Sequence, residues 1–245
     1  MWRRFRKAAE INTPRLPSGS RVYAVGDVHG RIDLLQETFA KIDSHRDAHP
    51  IANVLEVMLG DYIDRGPSSF DVIELLSKRV GGGTICLKGN HECFMLEFLR
   101  DPTILSAWQR CGGLETLASY GLEPSFDLSP QDQESLAATL AERLPAHHYK
   151  FLNALPLSFT LGDYFFVHAG VRPGIALAKQ SAEDLLWIRE DFLGYEGGFG
   201  KVVVHGHTPV SEPEIRKNRI NLDTGAYASG KLTCAVIEMD QILFL

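Results

Sequence analysis

Three short apolar runs, Arg21 to Val25, Val54 to Leu59 and Thr84 to Lys88, each end at a glycine. Each glycine is followed at once by acids, amides or histidines. Between the runs lie two segments with helical spacing, about Ile32 to Ser44 and about Ser69 to Lys78. A strand–helix–strand–helix–strand order requires parallel pairing, with crossovers of right-handed sense. In such a sheet the carboxyl ends of the strands share one edge, and ligands gather in the crevice beyond it. The pattern therefore predicts an α/β domain and places the polar strand exits side by side.

The second half reads differently. Leu157–Leu161 and Tyr164–Val167 are strands joined by the two-residue turn Gly162-Asp163, a hairpin signal. A helix over about Ala182 to Arg189, strands at Val202–Val204 and Arg219–Leu222, and a closing strand at Leu232–Met239 imply mixed pairing. Residues 93–153 read as a helical insertion with breaks at Asp101-Pro102, Gly112-Gly113 and Gly121 to Pro130, able to wall a cleft. Its Phe, Leu and Trp residues read as core of the insertion. The expected organisation is a basic tail and leader over 1–20 and a single domain over 21–245.

Several function classes are excluded. The net charge is −6, so no basic field draws the chain to nucleic acid. The basic start, Met1 to Lys7, lacks the apolar stretch of a signal peptide, and no run is long enough to span a membrane. The four cysteines form no C-x-x-C pair, which suggests reduced thiols in a cytoplasmic compartment. None begins a Cys-x5-Arg loop, since Glu92 follows Cys86 at the required distance and Arg100 falls one residue late after Cys93. Gly225-x4-Gly230-Lys231 resembles a phosphate-binding loop, but Leu232 stands where a hydroxyl is needed and a strand follows.

Five strand exits carry metal-type or acid/base side chains: Asp27 and His29; Asp61 and Asp64; Asn90 and His91; His168; His205 and His207. Each alone has an ordinary role, as turn former, helix cap or half-buried histidine. Their recurrence at one edge of a sheet points instead to a metal centre. Mixed Asp, His and Asn donors suit a divalent ion such as Mn²⁺, Fe²⁺ or Zn²⁺. There are more donors than one ion needs, so two ions about 3.5–4 Å apart are indicated, the arrangement that clamps an in-line displacement at phosphorus.

Gly26-Asp27-Val28-His29-Gly30, Gly60-Asp61-Tyr62-Ile63-Asp64-Arg65-Gly66 and Gly89-Asn90-His91-Glu92 resemble the three signature motifs of the phosphoprotein phosphatase branch of the metallophosphoesterases. Val167-His168-Ala169-Gly170 and Gly206-His207-Thr208-Pro209 resemble its downstream histidine motifs. The likeness runs from about residue 21 to the end and is greatest to compact bacterial and phage serine/threonine phosphatases. It implies a β-sandwich of mixed sheets flanked by helices. It implies that Asp27 and His29 hold one metal, that Asp61 bridges, and that Asn90, His168 and His207 hold the second, with Mn²⁺ favoured over iron or zinc. It further implies that His91, oriented by Asp64, is the general acid and that Arg65 and Arg189, with Asn90, contact phosphate. His205 shares strand parity with His207 and is a candidate supporting or alternative ligand; Arg172 and Tyr227 are candidate substrate contacts.

The activity expected on this reading is hydrolysis of phosphoserine and phosphothreonine in proteins or peptides by a metal-bridging hydroxide. A symmetrical dinucleoside tetraphosphate hydrolase shares the metal motifs, but Asp64 argues against it, because a phosphate leaving group needs no oriented acid. A non-catalytic phosphoprotein-binding relative would have lost ligands, and none is missing.

Overall fold

The computed structural model describes residues 13–123, 125 and 127–245; the basic stretch Met1 to Lys7 lies outside them. In chain order the elements are β1 (Ser20–Val25), α1 (Ile32–Ala48), β2 (Asn53–Met58), α2 (Ser69–Arg79), β3 (Thr84–Cys86) and α3 (Asn90–Phe98). Then come α4 (Leu105–Arg110), α5 (Gly113–Ser119), α6 (Pro130–Arg143), α7 (Ala146–Ala154), β4 (Ser158–Leu161), β5 (Tyr164–Val167), α8 (Ala182–Trp187) and α9 (Glu190–Leu193). The chain closes with β6 (Val202–His205), β7 (Glu214–Ile215), β8 (Arg219–Asn221), α10 (Ala226–Ser229), β9 (Cys234–Glu238) and β10 (Gln241–Phe244).

The strands form two five-stranded mixed sheets, in orders β10-β9-β1-β2-β3 and β4-β5-β6-β8-β7. The three opening strands pair in parallel as the alternation requires, and β9 closes antiparallel on β1. In the second sheet β5, β6 and β8 are parallel, with β4 and β7 antiparallel at the edges.

The period-2 side-chain alternation of β1 explains the layering. Val22 and Ala24 join Val57, Tyr164, Phe166, Val202, Val204 and Ile237 in the core between the sheets. Tyr23 and Val25 face the other way, into a core with α1, α2 and the helices of the insertion. On the outer face of the second sheet, Phe165, Val167 and Val203 pack against Leu185, Ile188 and Phe192. Sheet on sheet with helices outside is the expected sandwich. The leader is docked where described: Leu16 is 2% exposed in the inter-sheet core, and its amide donates to the Met239 carbonyl (2.9 Å).

Some boundaries differ from those read in the sequence. Strands β2 and β3 stop at Met58 and Cys86, although Leu59 and Leu87 remain fully buried. Burial continues past the hydrogen-bonded ladder there, and apolar character alone cannot distinguish the two. The segment read as the closing strand ends at Glu238, and β10 turns back on it with Gln241 opposite Glu238. The two-residue turn uses Met239 at φ 50°, a residue that carries no turn signal.

One buried ion pair fixes α2 to the first sheet. Glu56 on β2 is 3% exposed and accepts from Arg79 Nε and Nη2 (both 2.7 Å), Thr84 Oγ1 (2.9 Å) and Arg46 Nη1 (3.2 Å). Burial alone would raise this carboxyl, but the hydrogen bonds from Arg79 and Thr84 outweigh it and hold Glu56 below its ordinary value of 4.5. A depressed carboxyl stabilises the fold above its unfolded pKa and loses that contribution as pH falls through the folded one. Glu56→Gln should therefore cost about 2 kcal/mol of unfolding free energy at pH 7. The gap to wild type should shrink as pH falls below 4.5, read by denaturant titration at neutral and acidic pH.

Candidate active site

The exits of β1, β2 and β3 and those of β5 and β6 meet at one end of the sandwich. Asp27, His29, Asp61, Asp64, Asn90, His91, His168 and His207 are all buried, none more than 5% exposed. Six non-glycine residues among those described have positive φ, and five belong here: His29 (46°), Asp61 (52°), Asp64 (72°), Arg65 (67°) and His207 (67°). Such conformations cost on the order of 1 kcal/mol each and persist only where surroundings enforce them. Two glycines provide the space. A Cβ at Gly89 would overlap the Asp61 carboxylate, and one at Gly206 would overlap that of Asp27.

Two groups of ligand-type atoms share Asp61. His29, Asp61 and His91 form one; Asp61, His168 and His207 form the other. From Asp61 Oδ2 the Nε2 atoms of His29 and His91 lie 3.7 Å away and that of His168 3.3 Å. Asn90 Oδ1 sits 2.9 Å from both His168 Nε2 and His207 Nδ1. His29 Nδ1 faces the Ile63 carbonyl (2.9 Å) and His168 Nδ1 the Leu59 carbonyl (3.0 Å). A carbonyl only accepts, so each Nδ1 carries a proton, and in the neutral ring each Nε2 keeps the lone pair that a metal takes.

Lone pair facing lone pair is unfavourable without a cation between them. Asp27 makes the same point: its Oδ2 accepts from the His207 amide (3.0 Å), while buried Oδ1 has no hydrogen-bond partner. Burial, then the charges of Asp223 and Asp61, push the Asp27 carboxyl well up. Burial also opposes ionisation of Asp61, yet His168, His91 and His29 bring its carboxyl well below the usual range. Burial holds His29 and His207 neutral, pushing them down to about 3 and about 2. Asp61, with Asp64 at His91, raises His168 and His91 instead. Imidazoles and crowded carboxylates turned toward one another are a donor set a divalent ion can take, and these residues fit a pair of such ions sharing Asp61.

Beside this cluster, His91 Nδ1 donates to Asp64 Oδ2 at 2.6 Å. Asp64 also accepts from Trp108 Nε1 (2.8 Å) and Thr116 Oγ1 (2.5 Å), both from the insertion. Arg65 Nη2 lies 3.4 Å from His91 Nε2, and its guanidinium stacks over Tyr227, 4.6 Å from the ring centroid. Tyr227 in turn packs edge-on to His29. On the other side Arg189 Nε donates to His207 Nε2 (3.1 Å). Both arginines and Tyr227 thus join the cluster.

Two expected residues do not join it. Arg172 is occupied by Asp184 (2.5 Å) and Asp191 (2.9 Å) and ties the end of β5 to α8 and α9. His205 turns to the outer face of its sheet, against the Phe192 ring. Its strand parity with His207 is lost because Gly206 ends the strand and His207 is left-handed.

Four contributors were missed in the sequence. Glu92 accepts from the amides of Tyr62 (2.7 Å), Gly89 (2.8 Å) and Asp61 (3.0 Å), clasping two exit loops together. An acid three residues after Gly89 at a helix start is a capping signal that could have found it. Asp223, at the exit of β8, was visible as a sixth polar strand exit. Trp108 and Thr116 carried no local signal.

A family model for calcineurin-like phosphoesterases matches residues 20–243. The chain belongs to that family. Its relatives include the asymmetrical bis(5'-nucleosyl)-tetraphosphatase PrpE of Bacillus cereus strain Q1, 28% identical over 230 residues (85% of this chain, 87% of PrpE). Serine/threonine-protein phosphatase 2 of Escherichia coli K12 is 30% identical over 227 residues (86% of this chain, 90% of that one). A solved structure described as a candidate diadenosine tetraphosphatase shares the fold with a TM-score of 0.64 at 20% identity, covering 96% of this chain and 94% of its own. A cold-active protein-tyrosine phosphatase of a Shewanella species does so at 0.57 and 13%, covering 94% and 80%. Membership makes the chain a phosphoesterase, a hydrolase, and implies divalent metal ions at the cluster around Asp61.

Because Asp61 belongs to both groups, Asp61→Asn should weaken both ions together by at least about tenfold. Elemental analysis after dialysis against limiting metal checks this; loss of one equivalent with the other unchanged would refute the shared role.

Proposed function

We propose that the protein is a metal-dependent phosphomonoesterase acting on phosphoserine and phosphothreonine in proteins or peptides, with Mn²⁺ as the working ion. The observation that carries this reading is the 2.6 Å bond between His91 and Asp64. A serine or threonine alkoxide is a poor leaving group and needs a proton as it departs. Burial disfavours charge on His91, but Asp61 and Asp64 outweigh it and raise the imidazole, which favours the protonated form a general acid needs. Asp64 stays aligned because Trp108 and Thr116 fix both its oxygens.

The metal ions, when bound by Asp27, His29, Asp61, Asn90, His168 and His207, supply Lewis-acid polarisation and lower the pKa of water. Arg65 stands beside His91 and Arg189 beside His207, and each guanidinium is suited to grip phosphate oxygens in fork geometry. A histidine giving Nδ1 to a cation carries its proton on Nε2, so a loaded His207 would repel the Arg189 Nε–H that now donates to it. Convergence of the whole ligand set supports a catalytic protein over a binding-only one.

A second reading is hydrolysis of dinucleoside tetraphosphates. It is favoured by the name PrpE carries and by two exposed aromatics beside the cluster, Tyr227 and Trp187, the latter 6.3 Å from the His207 ring centroid and packed on Phe94. Either could stack on a base or on a tyrosyl ring.

Stripping the protein with chelator and restoring Mn²⁺ should revive activity, with phosphopeptides cleaved faster than diadenosine tetraphosphate. Preference for the dinucleotide would overturn the first reading in favour of the second, and inactivity with every divalent ion would overturn both. His91→Ala should lower turnover about 100-fold or more on phosphoserine peptides and much less on a phenyl phosphate. Trp108→Phe should shift the same ratio in the same direction by about tenfold, since it loosens the aspartate that aligns the imidazole. Equal losses on both esters would exclude proton donation by His91.

A further inference from the structure

Among the described residues, one further group of histidine and carboxylate atoms has ligand spacing and shares no member with the catalytic cluster. Glu74 on α2 faces His147 and His148 on α7, with all three ligand atoms within 4.8 Å of one another. We propose that these residues form an additional transition-metal site, of the zinc class, joining α2 to α7.

Both Nε2 atoms point at one carboxylate oxygen, Glu74 Oε2, at 2.6 Å from His147 and 2.8 Å from His148. A tetrahedral zinc site with bonds of about 2.0–2.1 Å separates its donors by roughly 3.4 Å. Each imidazole nitrogen therefore needs to draw back from Glu74 Oε2 by about 0.6–0.8 Å to admit an ion. Two imidazoles and one carboxylate with an open fourth position are an established zinc donor set. His148 is held as a metal-bound histidine usually is. It is fully buried, and its second nitrogen, Nδ1, lies 2.9 Å from the Tyr120 hydroxyl. A hydroxyl both donates and accepts, so Tyr120 serves either tautomer of the ring.

His147, 55% exposed, leaves an approach from solvent and room for a water as fourth ligand. Lys78 lies 2.5 Å from the other oxygen of Glu74, so one oxygen remains for the ion. Its ammonium and the N-terminal end of α7 both oppose a cation electrostatically, which sets the affinity below that of the catalytic cluster. Without an ion the three residues make an ion pair between the two helices that is exposed at His147 and buried at His148.

The position gives the ion a consequence. Helix α2 follows directly on Asp64 and Arg65, and its Ser69 hydroxyl accepts from the Asp64 amide (3.0 Å). Helix α7 ends the insertion that supplies Trp108 and Thr116 to the same aspartate. An ion between α2 and α7 therefore braces the insertion against the loop that orients the general acid. The site stands independently of the substrate reading.

The test uses the full chain with its catalytic centre loaded with Mn²⁺ and compares wild type with His147→Ala. The exposed ring can be removed without a cavity, and retained Mn²⁺-dependent turnover confirms an intact fold. Equilibrium dialysis against micromolar Zn²⁺ should give one more bound zinc in wild type, with at least tenfold weaker retention of that equivalent in the variant. With the catalytic centre kept saturated in Mn²⁺, added Zn²⁺ should also raise the melting temperature of wild type more than that of His147→Ala. Should His147→Ala fold poorly, Glu74→Gln replaces it, with the same loss of one zinc expected. Equal zinc stoichiometry in wild type and a folded variant would overturn the proposal and leave only the ion pair.

Discussion

The carboxylate of Glu92 is the contact on which the site depends. Two loops leave adjacent strands with ligand residues on them, and nothing in β-pairing fixes loops relative to one another. Glu92 does so by accepting three buried amides, those of Gly89, Asp61 and Tyr62. The same contact closes the capping box of α3, so Asn90 and His91 are held in the first turn of a helix. Burial, reinforced by Asp61, raises this carboxyl to about 7, and the amides of Tyr62 and Gly89, with the charge of His168, oppose that rise. A buried amide left without a partner costs about 1–3 kcal/mol, and here three would be left at once.

Much of the fold was legible because its two strongest signals agree. Helical spacing alternating with short β-rich runs required a parallel opening, and the two-residue hairpin turn before Tyr164 announced the change to mixed pairing. The insertion was legible as helix but not as function. Trp108 read as core because a large aromatic in a helical stretch usually is core, and it is fully buried. Its indole N–H finds Asp64 across 44 positions of sequence, which periodicity cannot reveal. The short edge strand β7 and the β9–β10 hairpin were illegible for local reasons, two residues being too few for a pattern and Met239 being no turn former.

The convergence of the candidate residues was legible through number. One Gly-Asp exit is an ordinary turn; several at one edge point to a shared site. The same reasoning overreached at His205 and Arg172, where residue type was right and direction was wrong. A single left-handed residue, His207, turns the chain so that its neighbour two positions earlier looks away. Arg172 was captured by two nearby carboxylates that sequence distance had hidden.

The candidate donors come from both layers. Asp27, His29, Asp61 and Asn90 leave the first sheet, while His168 and His207 leave the second. Any ion shared by these groups is therefore a crosslink across the interior of the sandwich as well as a reagent. A crosslink formed only in the folded state adds stability by mass action, in proportion to the logarithm of free ion concentration. The lifetime of the folded chain is then coupled to the metal supply around it, and a molecule starved of metal is exposed to unfolding and proteolysis as well as to loss of turnover.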